Sequence, residues 1–212
     1  MAIESIAVKL LRPTQIAVGM RLIKLKRRGL QELTRKPQEL VNYILEHPIR
    51  VVLGPMSQAF IIDHHHLGCA LLKEDFLTAP VHVEDDLSTF SSADFWQQLT
   101  ARNWVYPFDG RGKKCEIKEI PASLEEMEDD PYRSLAGMVR LAGGFMKTTI
   151  PYVEFVWANY FRTLIEKKAL NDNFDKMIKK ALILATKPEA SQLPGFIAKP
   201  MVASERDKSD VE

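Results

Sequence analysis

A chain of 212 residues that is 46% hydrophobic and 27% charged can bury a real core, as one large domain or two small ones. Its formal net charge of +1 argues against dominant non-specific binding to a polyanion, while leaving room for a local basic patch. The two cysteines, Cys69 and Cys115, are far apart, which excludes a disulfide framework and a CxxC zinc site and suits a reducing compartment. The first residues lack the basic start and long apolar core of a signal peptide, and no apolar run approaches the ~20 residues of a membrane span. The expectation is a soluble cytoplasmic protein with no membrane partner.

In chain order, Ile3 to Leu11 alternates as a strand and Arg12-Pro13-Thr14-Gln15 turns it. Met20 to Leu33 reads as a helix with Arg21, Lys24, Lys26, Arg27 and Arg28 on a cationic face; a solvated face and phosphate contact both account for it. Pro37 opens a second helix to about Glu46, with Leu40, Ile44 and Leu45 as its buried stripe, and Pro48 stops it. Ile49 to Leu53 and Ala59 to Ile62, joined by Gly54-Pro55, predict a hairpin. A helix follows the polar turn at 63–66 and ends near Asp75. Val81, Val83 and Leu87 mark a strand, and Ser92 to Leu99 a helix with a serine cap.

Tyr106 to Lys114, with Pro107, Asp109-Gly110 and Gly112, is loop chemistry. Beyond it the character turns helical. Pro131 to Ala142 is one helix, broken by Gly143-Gly144; Pro151 to Lys168 is a long apolar-aromatic helix; 172–186 is a last one. Ser204 to Glu212 reads as a solvated tail. The predicted organisation is an α+β domain over 1–118, a helical region over 119–186 and an extended, partly disordered tail over 187–212. Aromatics as dense as Phe155, Trp157, Tyr160 and Phe161 point to a packed core. Glu154 and Trp157 are assigned to packing on that ground, and Asp85-Asp86 to an acidic loop ahead of a divalent-ion site.

Three of the five histidines stand together in Ile61-Ile62-Asp63-His64-His65-His66-Leu67. A strand, a polar turn and then a helix is an arrangement that presents phosphate to a helix N-terminus, where N–H groups lack partners and the dipole favours negative charge. Asp63 places an acceptor beside groups that titrate near neutrality. A metal site on Asp63, His64 and His66 is the competing reading, although His47 and His82 stand apart in sequence and no further cluster completes it.

These residues, with Leu11-Arg12-Pro13-Thr14-Gln15, Ile49 to Pro55, Asp129 to Gly137 and Glu154 to Ala158, resemble the ParB/sulfiredoxin superfamily, in particular its ParB-like nuclease branch, over roughly Ile6 to Arg162. The resemblance implies a ParB/sulfiredoxin-like N-terminal α+β domain with a C-terminal helical region packed on it. The superfamily signature is a strand, then Asp-Gly-His-His-Arg or a variant, then a helix. Asp63, His65 and His66 match it, while His64 stands where Gly is usual and Leu67 where Arg is usual. By this resemblance Asp63, His65 and His66 are the candidate catalytic residues, the histidines donating to phosphate oxygens and Asp63 orienting a histidine or accepting a proton. His64, Arg12, Lys26 and Arg133 are the candidate phosphate-binding residues, with Arg133 standing in for the motif arginine. If Arg133 does so, one site joins both halves; a helix-capping role for 129–133 is the alternative.

The implied ligands are ATP, ADP or CTP with Mg²⁺, beside a small-molecule substrate, and the implied activity is nucleotide-dependent phosphotransfer or hydrolysis. The alternative is a DNA-associated ParB-like nuclease or a non-catalytic partition-type DNA-binding module; nucleic acid is its partner, and no clear helix-turn-helix reader supports it. The sulfiredoxin nucleophile does not carry over, because Cys69 lies on the following helix as a small apolar residue. The Asp-His-His phosphoesterases are set aside because the first sixty residues contain no aspartate.

Overall fold

The computed structural model describes residues 4–200, so the predicted tail from Ser204 to Glu212 lies outside the described residues. The architecture is α+β, in two compact units that divide between Asp129 and Asp130. The first unit holds β1 (Glu4–Ala7), β2 (Arg12–Pro13), β3 (Ala17–Val18), α1 (Met20–Leu33), α2 (Pro37–Glu46) and β4 (Ile49–Gly54). It continues with β5 (Gln58–Asp63), α3 (His65–Lys73), β6 (Thr78–Asp86), α4 (Ser92–Ala101) and β7 (Glu128–Asp129).

Its main sheet has five strands in the order β1-β6-β4-β5-β2. β1 runs antiparallel to β6, β6 parallel to β4, β4 antiparallel to β5 and β5 parallel to β2. The period of two decides what lies on each face. Val51 and Ile61 belong to a core shared with Ile23 and Leu30 of α1 and Leu67 and Leu71 of α3. Their neighbours Val52, Phe60 and Ile62 belong to another core with Phe95 and Leu99 of α4. Both faces of β4 and β5 are therefore buried, which is why these strands read as continuous apolar runs.

The predicted strand Ile3 to Leu11 is shorter than expected. It gives way to a 3-10 turn at Val8–Leu10, because β1 and β2 lie on opposite edges of the sheet and the chain must leave one edge to reach the other. In α2 no residue is fully buried; Leu40, Tyr43 and Ile44 pack partly, and Leu45 is 47% exposed rather than part of the stripe. The cap of α4 is Ser91, whose Oγ accepts the Asp94 N–H at 3.2 Å. The segment that carries β7 belongs to the first unit, because Ala17 and Val18 pair in parallel with Glu128 and Asp129.

The second unit contains α5 (Pro131–Leu141), α6 (Val153–Leu164), α7 (Lys167–Asp172) and α8 (Phe174–Ala185). The expected single helix over 151–168 is divided. Tyr152 takes a left-handed conformation (φ 60°) at its start, and Ile165 turns extended (φ −130°, ψ 121°) to bury its side chain. Trp157 is fully buried, stacks on Phe145 with centroids 4.5 Å apart, and donates its indole N–H to the Pro194 carbonyl at 2.8 Å. Asn173 caps α8 through the Lys176 N–H at 2.9 Å.

The 106–114 loop is held at one point of very close approach. A Cβ on Gly110 would overlap the backbone carbonyl of Asp129, whereas one on Gly29 of α1 would meet nothing. Gly110→Ala should therefore lower stability by about 1–3 kcal/mol and Gly29→Ala raise it by roughly 0.5–1 kcal/mol. Thermal unfolding of the full chain checks both. An unchanged melting temperature for Gly110→Ala would contradict this packing.

Candidate functional site

β5 passes into α3 through a single residue. Asp63 ends the strand, exposed, and its Oδ1 accepts the His64 N–H at 2.6 Å. His64 is the N-cap of α3 in the left-handed region (φ 70°, ψ 25°), where a residue without Cβ is least strained. That backbone accounts for the glycine usual at this signature position. Here a histidine tolerates it with two hydrogen bonds as support: its N–H goes to Asp63, and its ring Nδ1–H donates to the Pro48 carbonyl at 3.0 Å. Its side chain makes no cap hydrogen bond with α3. Burial pulls the His64 pKa below its ordinary 6.5, against the opposing effects of the Asp63 charge and the Pro48 hydrogen bond; the charges of Lys26 and His47 lower it further.

His65 and His66 lie inside the first turn of α3, not in a turn before it. His65 is 3% exposed, and its Nε2 accepts the backbone N–H of Thr14 at 3.2 Å. The Thr14 hydroxyl donates to the Ile61 carbonyl at 2.7 Å, so Nε2 of His65 is an acceptor and carries no proton. His66 is used in the same way, its Nε2 accepting the Gly19 N–H at 3.0 Å. The two signature histidines thus grip the 14–19 strap, and the donor role expected of them toward phosphate is not what these nitrogens do in this geometry.

The strap is fixed along its length. Tyr106 N–H donates to the Thr14 carbonyl at 2.9 Å and Glu128 N–H to the Ile16 carbonyl at 2.9 Å. At its end Met20 N–H, the first of α1, donates to Asp129 Oδ1 at 2.9 Å. Sequence reasoning missed the parts played by Thr14, Gly19, Pro48 and Asp129. Thr14, fully buried beside a turn proline, was the one signal available.

Of the other candidates in this unit, Arg12 is half-buried and pairs with Phe60 across β2 and β5. Lys26 is exposed on α1, and its charge reaches His64. His47, which looks isolated in sequence, also acts on His64, while its own Nδ1 meets the Tyr43 carbonyl at 2.7 Å. Arg27 pairs with Glu74 at 2.6 Å. Asp85 bonds Arg102, and Asp86 accepts the Ser88 N–H at 2.9 Å; these hydrogen bonds hold both carboxyls below the usual range, and the pair ends β6, where an acidic loop was expected.

Burial pushes the Cys69 thiol up to about 12, so it stays a protonated core residue near Leu124 and Met127. Among the described residues no three of His, Cys, Asp and Glu are grouped to hold a metal ion. The set Asp63, His64 and His66 does not converge on one because His64 and His66 are turned to Pro48 and Gly19.

In the second unit Asp130 is 1% exposed and caps α5, accepting Tyr132 N–H at 2.9 Å and pairing with Arg162 Nη2 at 2.7 Å. Burial raises its carboxyl against the pull of Arg162. The capping reading of this segment is what the side chain of Asp130 does. Arg133 is half-buried beside Glu154, at 3.6 Å, so Glu154 serves an ion pair rather than simple packing.

Because the folded His64 has a lowered pKa, the native protein holds fewer protons there than the unfolded chain. The stability from neutral His64 is complete above the ordinary value and is lost as pH falls through the folded one. His64→Asn keeps a residue tolerant of left-handed backbone and removes the titration. Between about pH 7.5 and about pH 5, its melting temperature should fall less steeply than that of the wild type. Parallel slopes would show that His64 does not titrate in a buried setting.

Residues 4–163 match the family described as "Putative ParB-like nuclease". The chain is also similar to the protein Atu1540 from Agrobacterium tumefaciens, known from a crystal structure. The two are 40% identical, the match covers 93% of this chain and 98% of that one, and the TM-score is 0.85. No functionally curated protein matches. No helix of the described residues is long and apolar enough to cross a membrane. With β5 passing into α3 through Asp63 and His64 and the family match running over most of its length, the chain belongs to the ParB-like nuclease family.

Proposed function

We propose that the turn at Asp63–His64 binds the phosphate group of a nucleotide at the start of α3, in a cytoplasmic phosphotransferase or hydrolase. One observation carries this reading. β5 runs straight into α3 through a left-handed residue whose side chain turns away to Pro48 instead of capping the helix, the kind of strand-to-helix start at which phosphate groups are held. Lys26 supplies positive charge close by, and Arg12 stands on β2, the strand that neighbours β5.

His65 and His66 act here as positioning residues, through Thr14 and Gly19. Asp63 is the proton acceptor for an attacking hydroxyl or water, its Oδ2 being the oxygen not taken by the His64 N–H. Mg²⁺ fits as a companion of the nucleotide. Asp63 would give it one oxygen ligand and the phosphates most of the rest, since no three-ligand protein set exists among the described residues. When bound, the ion neutralises phosphate charge beside Asp63.

Calorimetric titration of the full chain with ATP, ADP, CTP and GTP in Mg²⁺ tests this reading. At least one should bind, and Lys26→Glu should weaken it roughly 3–10-fold, the scale of an exposed charge contact. Asp63→Asn should keep the fold and abolish turnover. Silence from all four nucleotides at about millimolar concentration would end the proposal. His65→Ala is no test of chemistry, because orphaning the buried Thr14 N–H costs about 1–3 kcal/mol of stability by itself.

A second reading, contact with nucleic acid, is favoured by the exposure of Arg21, Lys24, Lys26 and Arg28 on α1. It predicts that duplex DNA is retarded at moderate salt and released by Lys24→Glu with Arg28→Glu. No shift by the wild-type chain removes it.

A further inference from the structure

Arg133 stands in the first turn of α5, where the helix dipole disfavours a cation. Its side chain is only 11% exposed. A guanidinium in such a place normally spends its five N–H donors on acceptors, because each unmet donor forfeits the hydrogen bond it had with water. Arg133 does not. Its Nε and Nη1 are buried and have no hydrogen-bond partner among the described residues. The carboxylate paired with it, Glu154 Oε2, lies 3.6 Å from Nη2, close enough for charge attraction and too far for a hydrogen bond. The other oxygen of Glu154 lies 3.1 Å from Arg140 Nε, so this carboxylate is shared between two arginines.

The rest of the surroundings indicate the direction from which a partner comes. The Phe155 ring covers the guanidinium, with Cζ 5.1 Å from its centroid. A guanidinium donates in its own plane, so an acceptor meets Arg133 at its edge. The α5 amides are not competing donors: Tyr132 N–H and Ser134 N–H are already taken by Asp130, at 2.9 and 3.1 Å. Asp130 is itself committed to Arg162 at 2.7 Å. The Asp130 carboxylate is thus taken, and it does not meet the donors of Arg133.

We infer that Arg133 is the receptor of a small oxyanion, a phosphate or carboxylate group that its unmet N–H donors bind in the plane of the guanidinium within the second unit. The inference is independent of the reading given to Asp63 and His64.

The probes are inorganic phosphate and acetate, each added to the full chain at constant ionic strength against chloride. Phosphate, acetate or both should raise the melting temperature saturably, and the stronger of the two identifies the group recognised. Asp63→Asn should keep this response whatever becomes of nucleotide binding. Arg133→Met, which removes the unmet donors, should abolish the saturable response, weakening apparent affinity at least ~10-fold, and should melt in chloride no lower than the wild type. Arg133→Lys, which keeps charge but loses the planar fork, should also lose most of the response. A lower melting temperature for Arg133→Met with the anion response intact would make Arg133 a structural partner of Glu154 and overturn the inference. If neither variant folds, the wild type decides by its arginine side-chain N–H spectrum. A saturable shift of the Arg133 Nε–H resonance with phosphate or acetate supports the site, and an unmoved resonance overturns it.

Discussion

The first unit depends on two hydrogen bonds in which a backbone amide donates to an imidazole. Thr14 N–H meets His65 and Gly19 N–H meets His66, and the two rings project from consecutive positions at the start of α3. Between those anchor points lies a strap whose other contacts reach outward, to Tyr106 and to Glu128. Removing either ring would leave a partly or fully buried amide without an acceptor, the kind of loss that costs more than the hydrogen bond itself contributes. A carboxylate in place of either ring would bring an uncompensated charge to the same spot. Imidazole is neutral, planar and able to present one acceptor nitrogen, which is what the strap requires.

The helix start between these rings and the sheet is held by a different economy. His64 takes a left-handed backbone that glycine would adopt without strain, and its two hydrogen bonds, to Asp63 and Pro48, offset the difference. Asp63 contributes one oxygen to this arrangement and is itself exposed. The same aspartate is therefore structural through one atom, and the proposed chemistry falls to the other.

Much of this was legible in the sequence wherever a local rule governed the outcome. α1, α2 and the β4–β5 hairpin follow apolar period and proline or glycine punctuation, and they appear where those signals put them. The Asp-His-His-His turn was visible as a polar break between two apolar runs. What long-range contact decides was not visible. Nothing local shows that Asp129 would accept the Met20 N–H, that His47 would act on His64, or that residues 17–18 would pair with 128–129. The break between α6 and α7 was hidden for a related reason. Ile165 satisfies the helical apolar pattern, yet it is buried by turning extended, and tertiary burial outweighed local propensity. Asp129 and Asp130, adjacent and chemically identical, serve α1 in one unit and α5 in the other.

The two departures from the family signature carry different weight. At position 64 the substitution is absorbed by local hydrogen bonds. At position 67 it redirects the side chain's purpose. Leu67 is 3% exposed and sits in the core with Ile61, Ile23 and Leu71. An arginine on this backbone could not keep its guanidinium in that core without a partner, and burying such a charge unpaired costs several kcal/mol. Position 67 has thus been given over to packing α3 against the sheet and α1. On the phosphate-binding reading proposed above, positive charge at the turn comes from another element, and Lys26 on α1 already makes its charge felt at His64. Leu67 shares its core with Ile23 and Leu30, so the packing that occupies position 67 also holds α1, the helix that carries Lys26, against α3.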